Sequence, residues 1–177
     1  MKFIHAFLFA LAVSLVACSP KIYPLKGSYP QTPIVRFSDN SFDKVWEKTI
    51  DFFAENGIPI RIIDKSSGLI ISDKANLTWS FEDKNGKLVN PMAFVAIPSV
   101  MDQDKFKPYR PESVTGEWNV RIKAVEGKAS INVNLYNITA TFGRSYYSTF
   151  THSIVEPVKL DGRTTGVFEK KISDAVK

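Results

Sequence analysis

Glu117-Trp118-Asn119-Val120-Arg121-Ile122-Lys123-Ala124 and Ala129-Ser130-Ile131-Asn132-Val133-Asn134-Leu135, with Glu126-Gly127 between them, decide the fold. Trp118, Val120, Ile122 and Ala124 alternate with Glu117, Asn119, Arg121 and Lys123. Ala129, Ile131, Val133 and Leu135 then alternate with Ser130, Asn132 and Asn134. Successive side chains of a strand point to opposite faces, so this period of two predicts an antiparallel hairpin with one buried and one wet face. After Leu135 the phase changes, and Tyr136, Ile138, Ala140 and Phe142 become the apolar set. A slip of one residue sends each side chain to the other face, so a bulge is expected near Leu135-Tyr136.

Upstream, Phe42, Val45, Trp46, Thr49, Ile50 and Phe53 recur at helical spacing, which predicts a helix over 42–55. Ser38-Asp39-Asn40-Ser41 offers N-caps, and Asn56-Gly57 offers a stop, because glycine accepts the left-handed conformation at a helix end. Ile34–Phe37 reads as a short strand. Ile58–Ile63 and Leu69–Ser72 read as a hairpin around Asp64-Lys65-Ser66-Ser67-Gly68. In the middle, Leu77, Trp79 and Phe81 alternate, Asn85-Gly86 marks a turn, and Met92–Ile97 reads as a strand. Residues 98–114 read as one long loop. A last helix is expected over 162–176, with Val167, Phe168, Lys171, Ile172, Ala175 and Val176 as its stripe and the Lys171 head in water. The expected fold class is α+β: an antiparallel sheet with an N-terminal and a C-terminal helix packed on one face.

The start of the chain carries a different signal. Met1-Lys2 precedes an apolar run from Phe3 to Ala17, too short to span a bilayer, since that takes about 20 residues. A basic start, an apolar middle and a small residue at the end fit a signal peptide over 1–17. Leu15-Val16-Ala17-Cys18 resembles the lipobox of bacterial lipoproteins. The resemblance implies cleavage before Cys18, diacylation of its sulfur, and attachment to the cell envelope. Ser19 in the next position implies, by the sorting rules of that class, the outer membrane. Pro20, Pro24, Pro30 and Pro33 with Gly27 make 18–33 a Pro-rich tether, leaving 34–177 as a single domain. Cys18 is the only cysteine, which leaves no intrachain disulfide.

The cadence Phe42-Asp43-Lys44-Val45-Trp46, Gly57-Ile58-Pro59-Ile60 and Asp64-Lys65-Ser66-Ser67-Gly68-Leu69-Ile70-Ile71-Ser72 resembles the helix-grip domains of BamC-like outer-membrane lipoproteins. Thr164-Thr165-Gly166-Val167-Phe168-Glu169 resembles the opening of the final helix in related envelope lipoproteins. The likeness covers about a third of the chain. It implies a helix-grip-like fold and a non-catalytic envelope lipoprotein suited to protein contacts or ligand holding.

The formal charge of +5 is spread along the chain and does not point to nucleic acid. Beyond the leader the one histidine is His152, with neither the companions of a His-based metal site nor a Gly-x-Ser-x-Gly elbow, and no metal or cofactor is expected. Asp102 and Asp104 lack the glycine and closing glutamate of a calcium loop. Gly162–Gly166 lacks the Gly-Lys-Ser/Thr ending of a phosphate loop. Aromatic and basic residues cluster at Lys105, Phe106, Lys107, Tyr109 and Arg110, at Arg144, Tyr146, Tyr147 and Phe150, and at Trp79 and Phe81. Such residues favour interfaces, though they also close core edges, and the Lys105–Arg110 loop is the first candidate for partner contact. Three readings follow. The first is a non-enzymatic envelope lipoprotein, membrane-attached through its lipid, that binds another envelope protein as an assembly accessory or scaffold. The second is a module holding a small molecule, lipid or glycan in a groove between sheet and helix. The third, an enzyme, needs a perturbed carboxylate beside His152. The oligomeric state is left open.

Overall fold

Ser113–Val125 and Lys128–Thr141 form the two longest strands, joined by Glu126 and Gly127 at φ 47° and 79°. Two successive positive φ values make the tight turn whose twist matches the strands it joins. The computed structural model describes residues 21–101, 110–142 and 157–177. In chain order these hold β1 Lys21–Tyr23, β2 Ile34–Ser38, α1 Phe42–Glu55, β3 Ile60–Asp64, β4 Leu69–Ser72, β5 Ala75–Asn76, β6 Trp79–Ser80, β7 Val95–Ala96, β8 Ser99–Met101, β9 Ser113–Val125, β10 Lys128–Thr141, β11 Val158–Lys159, β12 Arg163–Thr164 and α2 Val167–Ala175. Among the described residues the architecture is α+β, with a mostly antiparallel open sheet and two helices.

Among the described residues the main sheet has seven strands, in the order β11-β10-β9-β4-β3, with β2 also on β10 and β5 on β9. A second sheet runs β12-β7-β6, with β6 and β7 parallel, and β1 pairs with β8. The β9–β10 register shifts between Tyr136 and Thr139, and Asn137 has φ 50°. That is the expected irregularity, one residue further on. Asparagine tolerates the left-handed region better than most side chains.

Helix α1 begins where Ser41 accepts a hydrogen bond from the Lys44 N–H, a cap worth about 1 kcal/mol. It ends at Asn56-Gly57, where Gly57 has φ 62° and the Ile58 N–H returns to the Phe53 carbonyl at 2.9 Å. Its buried side, Val45, Trp46, Thr49, Phe52 and Phe53, meets α2 and β9. Phe168 of α2 lies at the centre of that meeting. Its ring stacks on Trp118 of β9 at 3.7 Å between centroids and meets Phe52, Phe53 and Phe94 edge-on. Gly68 closes the β3–β4 turn at φ 70°, where a Cβ would sit 2.0 Å from the Ile122 carbonyl oxygen.

Several expectations change. Residues 98–114 are not one loop, since β8 lies within them and β9 begins at Ser113. The strand at Met92–Ile97 shortens to Val95–Ala96. The last helix starts at Val167, because Arg163–Thr164 pairs with β7 first. Its buried side includes Glu169 and Ser173, and Lys171 is exposed with its ammonium 5.1 Å from the Phe94 ring centroid. From Lys21 onward the segment expected as a tether lies on the domain. β1 pairs with β8, and the Glu82 carboxylate accepts hydrogen bonds from the Lys26 N–H (2.7 Å), the Gly27 N–H (2.8 Å) and the Tyr29 hydroxyl (2.5 Å).

Candidate functional site

The wet face of the sheet is set by register. Residues directly opposite in an antiparallel pair share a face, so three rows can be read across it. Ile62, Ile71, Asn119 and Asn134 form one, Asp64, Leu69, Arg121, Asn132 and Val35 the next, and Lys123, Ser130 and Phe37 the third. The alternate residues Trp118, Val120, Ile122, Ile131 and Val133 are buried. The middle of the face is therefore basic and amide-rich. Its rims carry exposed apolar side chains, Phe37 at 69%, Val35 at 45% and Ile62 at 43%, and on the β3 rim Asp64, whose carboxylate accepts from Ser66 and Ser67. Arg121 and Lys123 are exposed, and neither has an ion-pair partner among the described residues.

At one end of this face Glu117 is enclosed, its side chain 6% exposed. Its Oε2 accepts from Arg61 Nη2 at 2.8 Å and from the Tyr136 hydroxyl at 3.0 Å, and its Oε1 accepts from Asn137 Nδ2 at 3.0 Å. The Asn137 amide, then the Tyr136 hydroxyl and the Arg61 charge, hold its carboxyl below the usual carboxylate range against burial and Asp73. Burial and the Glu117 carboxylate push the Tyr136 phenol up. The cluster thus holds an ionised acid and a protonated phenol, with its single carboxylate neutralised by Arg61. It fixes the face, whose exposed cations are Arg121 and Lys123.

A cavity of about 490 Å³ opens elsewhere, lined in part by Tyr29, Gln31, Thr32, Leu135, Arg163 and Thr164. Behind its wall, the Thr164 hydroxyl donates to Glu169 Oε1 at 2.7 Å. Glu169 is 0% exposed, and its Oε2 has no hydrogen-bond partner among the described residues. Burial raises its pKa, while the Thr164 hydrogen bond, its own backbone and the Arg36 charge oppose this.

No protein-family model matches the chain, and no curated protein matches it. The site therefore rests on its own geometry.

Of the residues expected to contact a partner, Arg110 is described and is exposed just before β9. Lys105, Phe106, Lys107 and Tyr109 lie outside the described residues, as do Cys18, Asp102, Asp104, Arg144, Tyr146, Tyr147, Phe150 and His152. Trp79 and Phe81 meet edge-on at 5.1 Å and pack against the core, so this pair closes a core edge. Among the described residues no group of three His, Cys, Asp or Glu is placed to hold a metal, and no helix is long and apolar enough to cross a membrane. The Glu117 cluster and Glu169 were not anticipated. A lone glutamate between Gly116 and Trp118 was the available sign of the first, because the alternation sets it beside Tyr136 once a register is known.

Proposed function

We propose that this chain is a lipid-anchored, non-enzymatic lipoprotein of the cell envelope, held through Cys18 in the outer membrane, whose helix-grip-like domain binds another envelope protein. The observation that carries the reading is the open sheet face. Arginine and amide side chains at its centre, with Phe37 and Val35 on its rim, match the chemistry of protein interfaces, where aromatic residues and arginine are enriched. An assembly accessory or scaffold needs such a face, an anchor and a rigid frame. The Glu117 cluster supplies the last by tying β3 to β9 and β10.

The test is crosslinking in intact cells, detergent extraction, pull-down and mass spectrometry, with Cys18→Ala as the unanchored control. One abundant envelope protein should be captured by the anchored chain and lost in Arg121→Glu/Lys123→Glu. Loss instead in Tyr109→Ala/Arg110→Ala moves the contact to the 105–110 loop. No capture above the control overturns the adaptor reading.

A second reading is supported by the 490 Å³ cavity, whose size suits a small molecule or a short glycan. Native mass spectrometry of the purified domain tests it, since a retained small ligand lost in Arg163→Ala favours this reading over the first.

A further inference from the structure

We propose that the acylated chain seats its domain directly against the bilayer, with the β1–β8 edge and the turn at 83–86 resting on anionic lipid headgroups. The inference rests on the lipobox reading of Cys18 and adds an orientation to it.

The argument starts from covalent reach. If 18–33 were a free tether, its fifteen peptide steps would let the domain stand off by ~50 Å. Pairing of β1 with β8 begins at Lys21, so only three steps separate the acylated residue from the folded body, or ~10 Å fully extended. The attachment is reinforced further along. Glu82 holds the Lys26 and Gly27 N–H groups and the Tyr29 hydroxyl. At Gly27 a Cβ would lie 2.8 Å from both Glu82 Oε1 and the Gly86 carbonyl oxygen, so the strap sits flush on the turn.

The surface beside this attachment has the chemistry of a headgroup contact. Tyr23, Lys26 and Lys84 line one cleft of about 220 Å³, and Ile22 is 53% exposed. The two acids in that cleft are engaged. Glu82 holds the strap, and Asp83 accepts from the Asn85 and Lys87 N–H groups. Both acids stay ionised, but residues 21–27 and 82–87 together carry four lysines, at 21, 26, 84 and 87, against these two acids, and a net cationic edge is attracted to an anionic leaflet. The β9–β10 turn points elsewhere. Leu135 shares a cavity with Leu25 and Gly27, and Gly127 lies eight residues back along β10, ~27 Å away at strand spacing. The hairpin tip is therefore far from the strap, which makes it the reference position for the test.

The experiment uses the full chain, produced with its leader in a cell that acylates lipoproteins, and placed in phosphatidylethanolamine vesicles containing some phosphatidylglycerol. Mass spectrometry of the N-terminal peptide first reports the acyl group; its absence defeats the lipoprotein reading, and this proposal with it. Cys18 is the only native cysteine, so Asn85→Cys and Glu126→Cys each carry one fluorophore, read against a headgroup spin-labelled lipid. Quenching should be several-fold stronger at 85 than at 126. That contrast should shrink in Glu82→Gln and in Gly27→Ala, with circular dichroism confirming the fold, and in vesicles of phosphatidylcholine alone. Equal, weak quenching at both positions in the acylated wild type overturns the proposal while leaving the anchor intact. An unchanged contrast in phosphatidylcholine overturns the anionic headgroup contact.

Discussion

Phe168→Ala tests the junction on which the fold depends. Phe168 is fully buried and touches four aromatic rings from separate parts of the chain: Trp118 of β9, Phe52 and Phe53 of α1, and Phe94 next to β7. Truncation removes the transfer energy of the ring and leaves a cavity between rigid neighbours, for which Phe→Ala changes cost about 3–5 kcal/mol. Each favourable aromatic pair adds roughly 0.5–1.5 kcal/mol beyond area, so the upper half of that range applies, about 4 kcal/mol. Domains of this size lose roughly 2–4 °C per kcal/mol, so the melting temperature should fall by ~8–16 °C. Phe37→Ala is the control. Its ring is 69% exposed, and the change should stay within about 0.5 kcal/mol. Urea unfolding followed by tryptophan fluorescence reads both variants, with the midpoint shifting and the slope unchanged. A loss under about 1.5 kcal/mol for Phe168→Ala, half or less of what removing a buried phenylalanine costs, would refute the claim that α2 ties α1 to the sheet.

Three further outcomes are expected. Glu169→Gln should flatten the pH dependence of stability. The folded pKa of Glu169 is raised above 4.5, so its contribution is full below that value and is lost as pH rises through the folded pKa; urea midpoints of the two proteins should diverge toward alkaline pH, with the glutamine variant the more stable there. Gly68→Ala should cost more than Gly57→Ala, because both have positive φ, worth about 1–2 kcal/mol, but only at Gly68 does the new Cβ meet a carbonyl oxygen; equal melting temperatures would contradict this. Glu117→Gln should cost about 1–3 kcal/mol, toward the low end because Arg61 is half-exposed and screened. Glu117 has a lowered pKa, so its contribution is present above 4.5 and lost as pH falls through the folded pKa, and the two proteins should converge in acid.

The long elements were legible because each repeats its pattern over many residues. β9 and β10, thirteen and fourteen residues long, hold the period of two over long stretches on either side of the shift after Tyr136. Helix α1 matches its expected bounds because Ser41 and Gly57 mark both ends chemically. β5, β6, β7 and β12 have two residues each, which is too few for a period, and their pairing comes from partners far along the chain. The N-terminal segment shows a different kind of limit. Its prolines specify extended backbone, and extended backbone fits a free tether and a docked strap equally well. What separates the two is Glu82, more than fifty residues away, and no local pattern carries that contact. Glu169 eluded the apolar stripe for a similar reason. Its burial depends on the Thr164 hydroxyl, one short strand earlier.

The phase change at Tyr136 connects fold to site. Without the irregularity, residues after Leu135 would keep the earlier alternation and Ile138 would face water. With Asn137 in the left-handed region, Ile138 is buried beside Gly162, where a Cβ would meet its methyls at 3.0–3.1 Å. The same turn of backbone brings the Asn137 amide onto Glu117, beside the Tyr136 hydroxyl that regular pairing already sets there. One local distortion therefore closes the core on one side of the sheet and completes a polar clamp on the other. The clamp neutralises the acid at the end of the wet face, so the cations at its middle, Arg121 and Lys123, are left without a carboxylate partner there, and Asp64 sits at the β3 rim held by its own turn. A partner meeting it would find fixed cations between exposed apolar side chains, and a carboxylate already satisfied. Such a face selects an acidic contact by attraction.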